Sequence, residues 1–379
     1  MFSIKSVFRI VPVFLFVLSM FLLPPFDGAA HAATGPVIDI TTRGAAGDGV
    51  HDDWSAIQKV LSTAPQNSTI VLPAGKVFRH SKVLEVNIRG TVLTGGGTLL
   101  ASNEGTSEVL LNNNYTSIDH LTLKVSQTTR RWDAYEQMKL RIGPFTGIKV
   151  NDVTINGSAA AGIYVGGATN FTISKVTVNN TRADAIHMTS ASSFGTISSV
   201  AIKNPGDDGV AVVSYRNNGV PCHDITINDA RVIDQKWGRG FSVVGGRNIR
   251  WTALYADSTS AAGIYLASES NFNTLPTTNV TVDGAVLIRS NQTASVDHGA
   301  VLLYNGQAGT VNSDLTLRNV RIVDTRITAS RQVAIINGTG AKHQRVALVN
   351  FTIVRGPRTV FWTNVPSSAY IRTNWSVVR

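Results

Sequence analysis

The chain has 379 residues, of which 43% are hydrophobic and only 15% are charged, a composition that favours an ordered β protein rich in turns. Its 34 lysine and arginine residues outnumber 24 aspartate and glutamate residues, which gives a formal net charge of +10 and a pI near 9.9. Because Cys222 is the only cysteine, an intrachain disulfide and a zinc site built on paired cysteines are excluded.

The positive charge of the chain draws polyanions to it. No nucleic-acid-binding motif accompanies this charge, so we do not expect a nucleic-acid partner. For an exported protein, an acidic polysaccharide or another cell-surface polymer is the better candidate. A generally basic surface that only maintains solubility is the alternative.

The N-terminus has the features of a secretory signal peptide. Lys5 and Arg9 form a positive segment, residues 11–23 are almost wholly apolar, and residues 30–32 (Ala-His-Ala) offer a cleavage site. We therefore expect residues 1–32 to be removed, leaving a secreted protein without a membrane attachment. An uncleaved anchor is the alternative, but the apolar run is short for a membrane span.

The mature chain opens with a short predicted strand at residues 37–40 and a glycine-rich turn, followed by one amphipathic helix. Asp52 or Asp53 can cap this helix, whose apolar face consists of Trp54, Ile57, Val60 and Leu61. The first turn of a β-solenoid exposes apolar core and unpaired strand groups. A helix at this place would cover them.

From about residue 70 the sequence consists of short apolar or alternating runs divided by Gly, Asn, Asp and Ser. We predict strands at residues 68–72, 90–93, 117–123, 147–150, 170–173, 223–227, 279–282 and 315–320. Strands at this spacing, without helices between them, favour a parallel β-coil over a β/α fold. No linker interrupts the pattern, so we predict one domain over residues 33–379.

Five similar tetrapeptides of the form small-apolar-x-apolar recur in the middle of the chain. They begin at residues 162, 185, 209, 240 and 263. If successive repeats stack as rungs about 4.8 Å apart, the residues that precede them align in one column, namely Ala161, Asp184, Asp208, Arg239 and Ala262. Three charged groups then share one exposed strip that has an alanine at either end.

The strongest local motif places Asp207 and Asp208 where a glycine turn enters a strand, with Asp184 one rung earlier. Three carboxyls this close cannot all ionise freely, so at least one pKa rises. Acid/base cleavage of a glycosidic bond needs one protonated carboxyl for the leaving oxygen and one ionised carboxylate to activate water. Turn chemistry is the alternative, because aspartate often binds backbone N–H groups in solenoid turns.

Several side chains near this column are suited to sugar binding. A sugar site combines aromatic platforms with hydrogen-bonding groups, as Trp237 beside Arg239 would do. The other candidate substrate-binding residues are His187, Tyr265, Lys236, Arg216 and Glu269. A structural role for His187 is the alternative, since Tyr164 occupies the same column.

Three motifs resemble those of polygalacturonase-type glycoside hydrolases in the pectate-lyase-like superfamily. They are residues 183–185 (Ala-Asp-Ala), 206–209 (Gly-Asp-Asp-Gly) and 238–243, and the opening at residues 47–53 is similar to that of the superfamily. The resemblance implies an all-β fold, a single-stranded right-handed parallel β-helix. It also implies inverting cleavage without a cofactor or metal, with Asp208 as the general acid and the other two aspartates positioning water.

The chain departs from that family at two positions. Gly-Arg-Gly at residues 238–240 replaces Gly-His-Gly, and Tyr-Leu-Ala at residues 265–267 replaces the Arg-Ile-Lys that grips a substrate carboxylate. Arginine does not titrate as histidine does, but its planar fork can still hold a carboxylate or sugar hydroxyls. The loss of the Arg/Lys pair argues against galacturonan as the natural substrate, so we expect altered specificity.

Two other functions stay open on the same residues. A polysaccharide lyase or uronate epimerase would use Arg239 as base or clamp, with Ca²⁺ held by Asp184, Asp207 and Asp208. A non-enzymatic polysaccharide-binding surface protein would use the same scaffold. In each case we expect a monomer whose partner is a polysaccharide.

Overall fold

A computed structural model describes residues 34–379 of the protein. The predicted signal peptide, residues 1–32, lies outside the described residues, so its removal stays a prediction. Within the described part of the chain no helix has the length and apolarity needed to cross a membrane.

Residues 34–379 form 28 β-strands, one α-helix and five short 3-10 helices. The strands are β1 Val37–Asp39, β2 Asp48–Asp52, β3 Thr69–Val71, β4 Val77–His80, β5 Leu84–Val86, β6 Val92–Thr94, β7 Thr98–Ala101, β8 Val109–Leu111, β9 Ser117–Val125, β10 Leu140–Ile142, β11 Lys149–Ser158, β12 Ile163–Gly166, β13 Thr172–Ser174, β14 Thr177–Thr181, β15 Ile186–Thr189, β16 Ser193–Lys203, β17 Val210–Val213, β18 His223–Ile233, β19 Phe241–Val244, β20 Gly246–Asp257, β21 Ile264–Ser268, β22 Thr277–Ile288, β23 Val301–Asn305, β24 Val311–Val323, β25 Val333–Asn337, β26 Lys342–Val354, β27 Phe361–Thr363 and β28 Tyr370–Val378. The helix is α1, Trp54–Thr63. The 3-10 helices are Ile40–Arg43, Glu104–Thr106, Tyr135–Gln137, Arg216–Asn218 and Ser367–Ala369.

The strands form two long sheets in which every strand-to-strand pairing is parallel. One sheet has 11 strands in the order β27, β25, β23, β21, β19, β17, β15, β12, β10, β8 and β5, and the other has 17 strands. The chain alternates between the two sheets as it advances, so each turn of the coil adds a rung to both. This confirms the predicted right-handed parallel β-helix, and each predicted strand segment overlaps a strand of the structure.

Stacked apolar side chains fill the coil. Alternate residues of each strand point inward, and residues that pair between rungs stand over one another inside the core. One such stack is fully buried and consists of Ile163, Ile186, Val210, Phe241 and Ile264. Because rungs share their core with their neighbours, the repeat is the unit of stability.

The bends of the larger sheet need left-handed backbone at one position of successive rungs. Asp229 and Asn319 have φ values of 55° and 59° at equivalent bend positions of β18 and β24. Asparagine and aspartate tolerate this conformation better than other non-glycine residues. The abundance of these residues between apolar runs therefore reflects the corners of the coil.

Helix α1 covers the first rung, as the sequence predicts. Strand β5 is the edge of the 11-stranded sheet, and the Gln58 side chain accepts from its Glu85 N–H at 2.8 Å and donates to its Glu85 carbonyl at 3.1 Å. Asp53 is the N-cap residue but makes no capping bond with its side chain, which instead accepts from Ala46 and Gly47 N–H groups. The glycine-rich segment before the helix also forms β2.

Candidate active site

The column predicted from the tetrapeptides is present in the 11-stranded sheet. The tetrapeptides lie on β12, β15, β17, β19 and β21, which are consecutive neighbours in register. The carbonyls of Asp184, Asp208 and Arg239 accept hydrogen bonds from Gly162, Ala185 and Gly209 respectively, one rung away. The charged residues therefore stand directly above one another.

The small first residue of each tetrapeptide is required by close packing. A Cβ atom on Gly209 would lie 2.5 Å from the Gly240 carbonyl oxygen and 2.5 Å from the Val232 side chain. Only glycine or a similarly small residue lets neighbouring rungs approach to this distance. The small residue that begins each tetrapeptide thus marks the place where the backbones of neighbouring rungs pack closely beside the candidate site.

Three carboxylates meet in this column. One oxygen from each of Asp184, Asp207 and Asp208 lies within 4.8 Å of the others. Their side chains are only 12%, 12% and 6% exposed, so they lie in a recess, whereas the sequence predicted an exposed strip. The difference arises because charged side chains from other turns cover them.

His187 and a backbone amide orient Asp184. One oxygen lies 2.6 Å from Nδ1 of His187, and the other accepts the Asp208 N–H at 2.8 Å. The His187 ring stacks on Tyr164 at a centroid distance of 5.4 Å and an interplanar angle of 7°. His187 therefore combines the stacking role and the polar role that the sequence left as alternatives.

Arg239 and Ser242 surround Asp208. The carboxylate accepts the Arg239 N–H at 2.7 Å and the Ser242 hydroxyl at 2.5 Å, and Nε of Arg239 lies 3.5 Å away. The guanidinium also donates to Glu269 at 3.1 Å and lies over the Tyr265 ring at 4.4 Å. The Tyr265 hydroxyl donates to the same Glu269 oxygen at 2.8 Å. Arg239, Glu269 and Tyr265 thus form one fixed unit beside Asp208.

Asp207 is held by a residue from a distant turn. The Arg131 guanidinium donates to its Oδ2 at 2.7 Å, and Gln235 donates to its carbonyl at 2.7 Å. A Cβ on Gly238 would lie 2.4 Å from Asp207 Oδ1 and 2.6 Å from Asp208 Oδ1. Gly238 is therefore the residue that admits both carboxylates to this recess.

The charges in the recess shift the pKa values of the pair. Burial, Asp184 and Asp208 raise the pKa of Asp207 from 3.8 to about 8, against the opposing effect of Arg131. Burial also raises the pKa of Asp208, although the Arg239 charge opposes this. Burial lowers the pKa of Arg239, but Asp208 outweighs it and the net pKa is raised. The recess therefore holds a proton near neutral pH and a permanently charged guanidinium.

Of the remaining predicted residues, Trp237 and Lys236 lie near Arg131 and Asp207, and Arg216 lies apart from the three carboxylates. Trp237 is 59% exposed, and the Arg131 guanidinium lies 5.9 Å from its ring. Lys236 is exposed in the turn that precedes Trp237. Arg216 is exposed at the start of a 3-10 helix, and within residues 34–379 no hydrogen bond joins its guanidinium to the three carboxylates. The structure does not bring Arg216 into the cluster.

Three neighbours of the site, Arg131, His298 and Ser242, were not found from the sequence, whereas Tyr215 lies in a turn that the sequence places beside the column. Arg131 is 76 residues from Asp207 along the chain and carries no motif. Burial, Asp184 and Glu269 raise the pKa of Tyr215, whose hydroxyl therefore lies in the field of the site. His298 stacks on Tyr265 at 5.4 Å, and burial lowers its pKa to about 4. Of the three, only Ser242 had a sequence signal, since it lies within the motif at residues 238–243.

The three carboxylates are a poor site for the Ca²⁺ that the lyase alternative invokes. Calcium takes 6–8 oxygen ligands at about 2.3–2.6 Å. Here Arg131 already binds Asp207, Arg239 N–H and Ser242 bind Asp208, and His187 contacts Asp184. Two guanidinium groups beside the acids also repel a divalent cation. The donor set does not fit this ion.

The family model described as Rhamnogalacturonase A/epimerase, pectate lyase-like matches residues 37–255. Among solved structures, this chain is similar to the catalytic domain of a GH87 alpha-1,3-glucanase in complex with nigerose, with a TM-score of 0.66 and 17% sequence identity. The match covers 88% of this chain and 67% of the glucanase chain. This chain is also similar to the endo-xylogalacturonan hydrolase from Aspergillus tubingensis, with a TM-score of 0.59 and 16% identity, and that match covers 90% of this chain and 100% of the hydrolase chain.

A third similar structure is the A-module of a mannuronan C-5 epimerase from Azotobacter vinelandii, with a TM-score of 0.58 and 14% identity. The match covers 90% of this chain and 99% of the epimerase module. No curated protein matches the chain by sequence. At these identities the structural likeness establishes the parallel β-helix fold, which hydrolases and an epimerase share.

Proposed function

Because this chain belongs to the rhamnogalacturonase A/epimerase, pectate lyase-like family, we propose that it is a secreted glycoside hydrolase. Its catalytic residues in this proposal are Asp184, Asp207 and Asp208, and its substrate is a polysaccharide. The single observation that carries the proposal is the approach of these three carboxylates to within 4.8 Å in a recess on the outside of the coil. The sequence features of a signal peptide support secretion.

The reaction needs a proton donor and a base. The donor carboxyl transfers its proton to the glycosidic oxygen as the bond to the anomeric carbon breaks. A carboxylate takes one proton from water as the water oxygen bonds to that carbon, and proton exchange with solvent restores both groups. The sum is the addition of one water across the linkage.

We assign the donor role to Asp207, whereas the family resemblance assigns it to Asp208. A pKa of about 8 keeps Asp207 protonated at neutral pH. Burial raises the pKa of Asp208 as well, so the choice between the two rests on their contacts. Asp208 accepts two hydrogen bonds and pairs with Arg239, which oppose that rise, whereas only Arg131 opposes it at Asp207. Asp208 and Asp184 are then the carboxylates that position and activate water.

The stereochemical outcome rests on the resemblance. Inverting enzymes usually separate their two carboxyls by about 6.5–9.5 Å, and retaining enzymes by about 5–5.5 Å. One oxygen from each carboxyl lies within 4.8 Å of the others, which is below both ranges, so this spacing by itself assigns neither outcome. Proton NMR of the first-formed anomer tests inversion directly.

The hydrolase is favoured over the lyase because Arg239 is a poor base. Its raised pKa keeps the guanidinium protonated beside Asp208. A lyase makes an unsaturated product that absorbs in the ultraviolet, whereas a hydrolase makes reducing ends without that absorbance. A chelator should leave the proposed activity unchanged.

The decisive test compares aspartate-to-asparagine variants on a panel of neutral and acidic polysaccharides. We expect Asp184→Asn, Asp207→Asn and Asp208→Asn each to lower the rate of reducing-end release by roughly 10²–10⁴-fold. Asp234→Asn is the matched control, because Asp234 is exposed and its φ of 55° suits asparagine. Binding without turnover in the unaltered protein would instead identify a polysaccharide-binding protein.

An activated substrate separates the roles within the pair. A leaving group such as a nitrophenol needs little protonation, so loss of the proton donor costs less on that substrate. We expect Asp207→Asn to recover at least about tenfold more relative activity than Asp208→Asn on an aryl glycoside of the cleaved sugar. Greater recovery by Asp208→Asn would return the donor role to Asp208.

A further inference from the structure

A cavity opens beside Asp207, and none of the three carboxylates is among the residues that line it. It has a volume of about 310 Å³ and is lined by the turns that carry Thr128, Arg131, Arg182, Gly206 and Lys236. Ligand sites in proteins usually occupy about 300–1,000 Å³. The volume suits one small group or sugar ring, and Gly206 places the cavity next to the candidate proton donor.

The charge of this cavity is entirely positive. Arg131, Arg182 and Lys236 line it, and its lining includes no aspartate or glutamate. Within residues 34–379 no carboxylate lies within ion-pair distance of the Lys236 ammonium. Asp207 contacts Arg131 and Glu104 lies within electrostatic range of Arg182, but three cations against these two carboxyls still leave a positive local potential that attracts an anion.

Two of the cations are held in place. Arg182 donates from Nε to the Thr128 hydroxyl at 3.1 Å and from its terminal nitrogen to the Thr128 carbonyl at 2.5 Å. Arg131 donates to Asp207, as described above, and leaves half of its side chain exposed. Fixed guanidinium forks bind carboxylates and sulfates with less loss of conformational entropy than free side chains do.

The cavity also lies beside a flat aromatic surface. Trp237 follows Lys236 directly, is 59% exposed, and lies 5.9 Å from the Arg131 guanidinium. Aromatic rings in this setting present an apolar face against which a sugar ring can pack. An anionic group in the cavity and a ring against Trp237 would therefore belong to one substrate.

The position at which the resembling family grips a carboxylate cannot do so here. Residues 265–267 are Tyr-Leu-Ala, and their exposures are 3%, 0% and 0%. That strand carries no lysine or arginine, and the Arg239 guanidinium that lies over Tyr265 is already bound to Glu269 and paired with Asp208. Three further cations line the cavity beside Asp207. The observations point to a relocated anion site, with a different position of the charge relative to the scissile bond.

We propose that the cavity formed by Arg131, Arg182 and Lys236 binds an anionic substituent of the polysaccharide, a carboxylate or a sulfate ester, next to the linkage that is cleaved. This inference rests on the proposed function and narrows its substrate to an acidic polysaccharide. An anion that engages Arg131 also weakens the Arg131–Asp207 ion pair, which keeps Asp207 protonated for its role as donor.

The test measures affinity, so that it does not depend on turnover. The full mature chain carrying Asp208→Asn is titrated calorimetrically with an oligouronate, its methyl ester, a sulfated oligogalactan and a neutral oligoglucan. The same titrations are repeated with Lys236→Gln and, separately, Arg182→Gln added. Lys342→Gln is the matched control, because it removes the same charge from an exposed residue of β26, several rungs away.

We expect the favoured anionic oligosaccharide to bind at least about tenfold more tightly than its ester or the neutral oligoglucan. Lys236→Gln and Arg182→Gln should remove most of that preference, and Lys342→Gln should change it less than twofold. Preference for the oligouronate identifies a carboxylate ligand, and preference for the galactan identifies a sulfate ester. Equal affinity for anionic and neutral probes, or equal loss with Lys342→Gln, would overturn the proposal.

The two proposals fail in different ways. If Asp208→Asn retains full hydrolytic activity, the assignment of the carboxylates fails, whereas the anion preference and its loss with Lys236→Gln still stand. If a neutral polysaccharide is cleaved by the three aspartates and no anionic probe is preferred, the hydrolase stands and the anion site does not.

Discussion

Asp207 lies in surroundings that differ strongly from those of a solvated carboxyl. Burial and two neighbouring carboxylates favour its protonated form, while Arg131 favours its ionised form. The net result is a pKa near 8, which places its titration at the upper end of the physiological range. A donor with such a pKa stays protonated at neutral pH and loses its proton as the solution becomes alkaline.

This pKa predicts a pH-dependent stability. The native state keeps the Asp207 proton up to about pH 8, whereas the unfolded chain loses it near pH 3.8, so the group's contribution to stability falls as the pH rises between these values. A shift of about four pKa units corresponds to an upper bound of about 5.5 kcal/mol. Allowing for relaxation, we expect Asp207→Asn to be about 2–3 kcal/mol more stable than the parent at pH 9 and nearly equal at pH 4, by urea unfolding.

Asp234→Asn serves as the control for this comparison, because it removes a carboxylate that is exposed. An identical pH slope for the parent and Asp207→Asn would contradict the raised pKa. The same pKa also predicts that the rate of hydrolysis falls as the pH rises above about 8, because the proton donor is then deprotonated.

Gly238 gives a second prediction at the scale of a single residue. In Gly238→Ala, the new methyl group would lie 2.4 Å from one carboxylate oxygen and 2.6 Å from another, so Asp207 and Asp208 must move. We expect a loss of activity of about 100-fold or more, because a displacement of 1 Å costs this much. Overpacking should also lower stability by about 1–3 kcal/mol, measured by thermal unfolding.

Gly105→Ala is the matched control for Gly238→Ala. A methyl group there meets nothing closer than 3.3 Å and lies far along the chain from the carboxylates. Full activity in Gly238→Ala would show that the recess is not shaped by this glycine.

At the scale of the element, helix α1 contacts the first rung in two ways, through its apolar face and through the polar side chain of Gln58. Strand β5 ends the 11-stranded sheet, and an unpaired edge is a template for association with other chains. Gln58 occupies part of that edge with two hydrogen bonds to Glu85, and the Trp54 indole donates to the Val83 carbonyl at 2.8 Å. The helix thus ends the sheet by hydrogen bonding as well as by covering the core.

Removing the Gln58 amide should expose this edge. We expect Gln58→Ala to lower stability by about 1–2 kcal/mol, since a half-buried N–H and carbonyl lose their partners. Light scattering on warming should also begin at a lower temperature than in the parent. The neighbouring exposed residue provides the control, Lys59→Ala. The edge-capping role would be refuted by equal behaviour of the two variants.

At the scale of the whole molecule, stability comes from stacked rungs. The only cysteine, Cys222, is buried and unpaired. Arginine–aspartate pairs link successive rungs on the outside, including Arg345–Asp314 and Arg355–Asp324, but their side chains are 38–64% exposed. Exposed pairs of this kind contribute about 0–1 kcal/mol each. The apolar interior is therefore the dominant stabilising element.

This predicts that neither reductant nor moderate salt will unfold the protein. The midpoint of thermal unfolding should be unchanged by dithiothreitol and should move by only a few degrees between low salt and 0.5 M sodium chloride, a concentration at which the Debye length is about 4 Å. Affinity for an anionic polysaccharide should fall strongly over the same range. A large salt-induced drop in the midpoint would instead assign stability to the surface pairs.

The sequence by itself determined the fold, the covering helix and the column of Asp184, Asp208 and Arg239. These follow from a period that repeats along the chain, because each rung pairs with the rung that precedes it. Only the tertiary structure decided which side chains surround the acids. Arg131 and His298 reach the site from turns without a repeat signal, and their side-chain directions are set by packing. The burial of the carboxylates, and hence the proposed assignment of the proton to Asp207, depends on those contacts.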